Sequence, residues 1–166
     1  MEYEEFCREQ LAGLVRFAAA LTGDTELAQD LVQDALIRAY PRWPKVSRLD
    51  RPDLYLRKMV VNGHLSWLRR WYQRSVRSSH DLIEAAHPVA ADPAARIADA
   101  GHLAELLSGL SRRQQAAIVL RYFEDRDDAE IAQVLGCGQA TVRSHVSRGL
   151  SALRIRAKAE RAEASS

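Results

Sequence analysis

Apolar residues recur every three or four positions along most of this chain, and no stretch alternates with a period of two, so the pattern predicts helices and no strands. A first helix spans about 3–21, with Leu11, Leu14, Val15, Ala18 and Leu21 as its apolar stripe. Gly23 breaks it. Asp24 or Thr25 can cap a second helix that turns Leu27, Ala28, Leu31, Val32, Ala35, Leu36 and Ala39 inward. Pro41 and Pro44 then end helical structure and open a loop to Arg51. A third helix starts near Pro52, a residue suited to a first turn, and continues to about Tyr72.

Over 75–98 the periodicity dissolves, with prolines at 88 and 93 among alanines, which reads as a flexible linker. Its weak apolar triplet, Leu82, Ile83 and Ala85, is a candidate docking segment. Beyond it, Ser111 followed by Gln114 is a capping-box signal for a helix holding Ala117, Ile118, Leu120 and Tyr122. The stretch 128–156 then spells helix, turn, helix. Ile131, Val134 and Leu135 form one apolar face; Val142, Val146, Leu150 and Leu153 form the other. Between them Gly136 can take the left-handed backbone that stops the first helix, Ala132 allows close approach, and Cys137 packs the turn. The expected fold is all-α: a helical domain at 1–74, the linker at 75–98, a four-helix domain with a helix–turn–helix at 99–158, and a disordered tail at 159–166.

Charge changes this picture more than composition does. The formal net charge of +2 hides a segregation: 1–37 holds eight acidic and two basic residues, whereas 54–80 holds six basic and no acidic ones. After Glu130 no acidic residue appears until Glu160, while Arg143, Arg148, Arg154, Arg156 and Lys158 lie on or beside the second helix of the pair. A short helix crossing a longer basic one is the geometry that sets the second into a DNA major groove. An αα-hairpin inside a bundle is the plainer reading, and the one-sided charge speaks against it. An acidic surface for a protein and basic surfaces for phosphate follow from the same segregation.

The third helix ends in NGHLSWLRRWYQRSVR, which packs arginines among Trp67, Trp71 and Tyr72. Arginines neutralise phosphate, aromatic rings stack on exposed bases, and Asn62 offers a donor and an acceptor to a base edge, so this segment suits opened DNA. Trp67 and Trp71, spaced by four, fit an internal stripe equally well. Asp30 and Asp34, one turn apart on the second helix, form either a solvated face or a protein-docking surface.

No phosphate-cradling glycine loop and no nucleophile elbow is present, so the reading assigns no catalytic residue, no cofactor and no enzyme activity. Cys7 and Cys137 and the five histidines are scattered rather than ligand-spaced, so no metal site is expected. Two lone cysteines, no basic-then-apolar start and no apolar run of about 20 residues predict a cytoplasmic protein without membrane insertion.

Three blocks in order carry a resemblance. LTGDTELAQDLVQDALIRAYPRW, YLRKMVVNGHLSWLRRW and LSRRQQAAIVLRYFEDRDDAEIAQVLGCGQATVRSHVSRGLSALR resemble the core-binding, promoter-melting and upstream-element regions of bacterial RNA polymerase sigma factors of the extracytoplasmic function (group IV) type. The resemblance covers nearly the whole chain. It implies that the protein binds core polymerase, through the clamp of the largest subunit and the flap of the second, and directs it to promoter DNA. It assigns Asp30, Gln33, Asp34 and Arg38 to the clamp. It assigns Trp43, Lys45, Ser47 and Arg48, in the 42–51 loop, to capture of a flipped base of the −10 element, with Asn62, Trp67, Arg69 and Arg70 at the melted DNA. It assigns Gln139, Thr141, Arg143, Ser144 and Arg148 to the −35 duplex, Arg143 to a guanine edge. An anti-sigma factor is a further partner the family suggests.

The chain departs from the family at GCGQAT, where relatives often have a serine after the cysteine and a glycine before the threonine, so that serine's phosphate contact is absent and the cap of the recognition helix is left open. Gln29 stands where relatives often carry glutamate. Two other readings stay open: a stand-alone helix–turn–helix regulator that binds duplex DNA as a dimer, and a pure interaction module.

Overall fold

A computed structural model of the chain describes residues 1–78 and 105–166, with side chains in the first stretch to Ser75. Seven bounded α-helices, a 3₁₀ turn and a π turn, and no strand, occur among the described residues. Helix α1 (Tyr3–Thr22) ends where Gly23 takes φ 70° and its N–H bonds the Ala19 carbonyl at 2.8 Å. Asp24 is the cap of α2 (Thr25–Ala39), its Oδ1 accepting from the Leu27 N–H at 3.1 Å. The two helices pack against each other, and Ala18, Ala28 and Ala35 are buried. Leu11, expected in the stripe of α1, is exposed, and Phe6 and Phe17 are buried instead. Because α2, α4 and the second domain all contact α1, the whole run from Phe17 to Leu21 is covered rather than one narrow stripe.

The expected loop after α2 is itself helical. A 3₁₀ turn (Tyr40–Arg42) leads into the single turn α3 (Trp43–Val46). Pro41 and Pro44 both sit in first-turn positions, where a missing N–H leaves no bond unmade, so they start these turns rather than stop helix. The Trp43 ring packs on Phe6 and Tyr3 at 4.8 and 5.4 Å, and its Nε1 donates to the Met1 carbonyl at 3.2 Å. Helix α4 (Pro52–Ser78) buries Leu54, Leu56, Val60 and Val61 and runs past the expected end near Tyr72, into the start of the segment read as linker. The triplet Leu82, Ile83 and Ala85 lies outside the described residues.

In the second domain, helical backbone at 105–107 precedes α5 (Arg112–Ile118), which opens on the expected Ser111/Gln114 capping box. A π turn (Val119–Phe123) follows; the extra residue in that turn leaves Tyr122 exposed, against expectation, and Phe123 half-buried. A second capping box, Asp127 with Glu130, starts α6 (Asp128–Leu135). Gly136, at φ 66°, ends it, and the N–H groups of Gly136 and Cys137 both reach the Ala132 carbonyl, at 2.9 and 3.2 Å. Helix α7 (Gln139–Ala164) starts from Gly138 with no side-chain cap. It continues through the residues expected to be a disordered tail. Alanines and i,i+4 pairing of Arg156 with Glu160 at 3.2 Å favour helix there. Gly149 of α7 allows the close crossing on α5: a Cβ there would lie 2.4 Å from Ile118 Cδ1.

The two domains touch. Helix α6 packs on α4, the π turn packs on α1, and the buried Gln115 side chain donates to the Leu21 carbonyl at 3.0 Å.

Candidate functional site

Three surfaces gather the residues singled out above. The first is a groove of about 440 Å³ between α2 and α4. Asp30, Asp34 and Arg38 stand on its α2 wall, at one-turn spacing. Asn62, Ser66 and Arg70, also spaced by four, stand on its α4 wall beside Trp67, and Arg42 closes one end. Leu27, Leu31, Met59 and Gly63 line it between the polar residues. A Cβ on Gly63 would come within 3.3 Å of Leu31, so glycine keeps the walls close. Asp34 and Arg38 form an exposed ion pair at 3.0 Å, and Gln33 and Arg69 are exposed outside the groove. Residues assigned to two separate tasks by sequence are thus opposite walls of one cleft, acidic on one side and basic and aromatic on the other.

Trp67 and Trp71 stack on each other, ring centres 6.4 Å apart and planes 16° from parallel. Both are half-buried, and neither packs against the apolar core.

The second surface is the short-helical segment 40–51. Lys45 and Arg48 are exposed there. Trp43 and Ser47 instead line a pocket of about 250 Å³ with Met1, Phe6, Glu9, Gln10, Pro52 and Asp53. Trp43 therefore anchors this segment to α1 and walls the pocket at once.

The third surface is the outer face of α7. Gln139, Thr141, Arg143 and Arg148 are exposed and Ser144 half-buried, while Val142 and Val146 point into the core. Arg143 Nη1 lies 3.4 Å from Asp128 Oδ2, and Asp128 also pairs with Arg121. Arg121, Arg143 and Arg154 line a cleft of about 290 Å³ with Asp128. Arg121 and Asp128 escaped sequence reasoning because they precede the turn and meet Arg143 only once the two helices cross. Burial, then the charges of Arg113 and Arg148, lower the His145 pKa below its ordinary value.

Among the described residues no group of three or more His, Cys, Asp or Glu side chains can hold a metal ion, and no helix is long and apolar enough to cross a membrane.

Comparison with known proteins matches residues 8–75 to the family described as Sigma-70 region 2 and residues 101–153 to Sigma-70, region 4. The RNA polymerase sigma-E factor of Streptomyces avermitilis is 33% identical over 156 residues, 93% of this chain and 84% of that protein. The ECF RNA polymerase sigma factor SigL of Mycobacterium tuberculosis is 30% identical over 148 residues, 89% of this chain and 84% of that protein. Among solved structures, the sigma factor RpoE of Bartonella quintana, crystallised with the anti-sigma factor NepR, is similar with a TM-score of 0.73 and 28% identity, over 93% of this chain and 98% of that one.

Proposed function

Because the chain belongs to the sigma-70 family, as an RNA polymerase sigma factor of the ECF type, we propose that its three surfaces divide the work of promoter recognition and opening. The protein binds core RNA polymerase, directs it to promoter DNA and aids opening of the duplex. The relatives support this reading over a stand-alone dimeric regulator. It acts as a cytoplasmic, non-catalytic subunit.

The observation that carries the division of labour is the two-walled groove. Its acidic wall (Asp30, Asp34, Arg38, with Gln33 alongside) docks on the polymerase clamp, and its α4 wall (Asn62, Trp67, Arg70, with Arg69 alongside) takes opened DNA. Stacking on an indole contributes about 1–3 kcal/mol per base, enough to offset the few kcal/mol of unstacking. Docking and melting then share one cleft, so polymerase binding presents the aromatic wall where strands separate. The pocket beside Trp43 and Ser47 receives a flipped base, while exposed Lys45 and Arg48 meet phosphate. On α7, Arg143 reads a guanine edge and Gln139, Thr141, Ser144 and Arg148 hold the flanking duplex. An anti-sigma factor is a partner class this reading also carries.

The test separates the walls. Asp30→Ala with Asp34→Ala should weaken assembly with core polymerase. Trp67→Ala with Arg70→Ala should leave assembly intact but lower the permanganate reactivity of thymines in the melted region. Equal loss of assembly from both pairs would refute the division.

A further inference from the structure

We infer that Asp128 determines specificity at the upstream-element surface: its carboxylate orients Arg143 toward a guanine edge and disfavours any duplex that offers Arg143 only phosphate. The inference rests on the base-reading role proposed above for Arg143. Asp128 acts through the arginine beside it, as a positioning residue. Three elements build the arrangement. Asp128 is the first residue of α6, one position after the Asp127 cap, where a carboxylate meets the positive end of the helix. Arg121 comes from the π turn that packs on α6, and it pairs with Asp128 Oδ1. Arg143 comes from near the start of α7, its Nη1 3.4 Å from the other oxygen, Oδ2.

Exposure grades the three side chains. Those of Asp128 and Arg121 are 24% and 30% exposed, that of Arg143 60%. The carboxylate is thus anchored through one oxygen and offers the other to the arginine that faces solvent. Among the described residues lining their cleft, Asp128 is the one carboxylate against three arginines, Arg154 being the third. Glu130, in the same turn of α6, is taken by Arg51 and Arg126. An acid set against a surface whose sequence holds no other from 131 to 159 lowers affinity for any polyanion, so its use lies elsewhere. Holding α6 in place would need only Arg121.

The chemistry of the guanidinium supplies that use. Guanine presents O6 and N7 side by side, and an arginine meets them with two parallel N–H groups. With Nη1 turned to Asp128, the Nε–Nη2 edge stays free for that paired contact and is held in one orientation. Phosphate asks less: it accepts from an arginine in many orientations and carries no sequence information. An untethered Arg143 would swing to the nearest phosphate and bind all duplexes alike. The carboxylate opposes this twice, by holding the guanidinium back from the backbone and by repelling phosphate wherever Arg143 does not engage a base. A single contact at 3.4 Å on an exposed arginine is weak enough to be shared when guanine arrives. The effect of Asp128 is therefore on the difference between sequences more than on the strength of binding.

The experiment uses the full chain assembled with bacterial core polymerase. A duplex library randomised across the upstream element is bound and the retained sequences are counted, for wild type, Asp128→Asn, Arg143→Ala and the double variant. Binding of one fixed non-promoter duplex by the same complexes is measured over a range of salt, with urea unfolding as the check on folding. Asp128→Asn keeps the side chain's shape; Asp128→Ser, suited to a first turn, replaces it if the asparagine variant loses stability. Wild type should prefer guanine about tenfold at one position, and Arg143→Ala should abolish that preference. Asp128→Asn should cut the preference to about twofold at that position alone, where a free arginine also finds phosphate. It should tighten binding of the non-promoter duplex about threefold and steepen its salt dependence by about one counterion. In the Arg143→Ala background, Asp128→Asn should leave the base preferences unchanged. An intact guanine preference in Asp128→Asn, an equal flattening at every position, or flattening without any gain on the non-promoter duplex would overturn the inference and leave the role of Arg143 standing. If no base preference of the wild type depends on Arg143, the base-reading role fails and the inference with it.

Discussion

Arg57 and Arg143 carry the same guanidinium and do opposite things. Arg57 lies on α4 with its side chain 5% exposed, gripped in a fork by Glu124 and set 5.9 Å from the centre of the Phe17 ring. Arg143 lies on α7 with its side chain 60% exposed and a single long contact to Asp128. A desolvated arginine with a matched carboxylate is committed to holding parts of the protein together. A hydrated one with a weak tether remains available to a base edge or a phosphate. Location rather than residue type divides the arginines of this chain between those that join the two domains and those left exposed to solvent.

The comparison breaks most visibly at the buried member. Arg57→Ala should destabilise the full chain by about 3 kcal/mol in urea unfolding, near the low end for a broken buried pair because Arg126 still reaches Glu124. Arg143→Ala should leave the urea curve unchanged and weaken promoter binding by about 1–3 kcal/mol, confined to one base pair of the upstream element. Equal losses on every promoter sequence would reduce Arg143 to a phosphate contact.

Acid sharpens the contrast further. Burial raises the Asp53 pKa, but the hydrogen bond and charge of Arg51, with Arg126 and Arg57, outweigh it and hold the group below its ordinary value. Glu130 is likewise lowered by the Asp127 N–H, Arg51 and Arg126 against the effect of burial. Carboxylates with depressed folded-state pKa values stabilise above their ordinary range and lose that contribution as pH falls through the folded values. The stability these two groups confer should therefore be full at neutral pH and be lost in acid, below the usual carboxylate range, as urea unfolding at a series of pH values would record. Glu124, Arg51, Arg57 and Arg126 face these two groups within the ion-pair network between the domains. The smallest effect belongs to the exposed pair Asp34–Arg38: breaking it with Arg38→Ala should change stability by under about 1 kcal/mol. Any defect of that variant should appear in core-polymerase binding instead.

What the sequence made legible was local. Gly23, Asp24, Ser111 and Gly136 start or stop helices through chemistry within a few residues of themselves, and each does so in the structure. The α4 wall of the groove was readable because Asn62, Ser66 and Arg70 share a helix face. That the α2 carboxylates stand opposite required the crossing of two helices, which no spacing records. The prolines at 41 and 44 misled because a residue that ends one helix is equally fit to begin the next. The ion pairs between the domains were invisible: Arg57 and Glu124 are 67 positions apart and Arg51 and Glu130 are 79, with no periodicity linking them. The Asp127/Glu130 capping box was readable but overlooked, and it places Glu130 where Arg51 meets it.

The measurement that tests the account most directly is run-off transcription by bacterial core polymerase, with and without this protein, on a promoter-fragment library. Wild-type protein should create defined start sites that are absent with core alone. Trp67→Ala should lose them on duplex templates and recover them on templates with a pre-melted bubble. No protein-dependent start site on any template would contradict the account, as would equal failure of Trp67→Ala on the two template types.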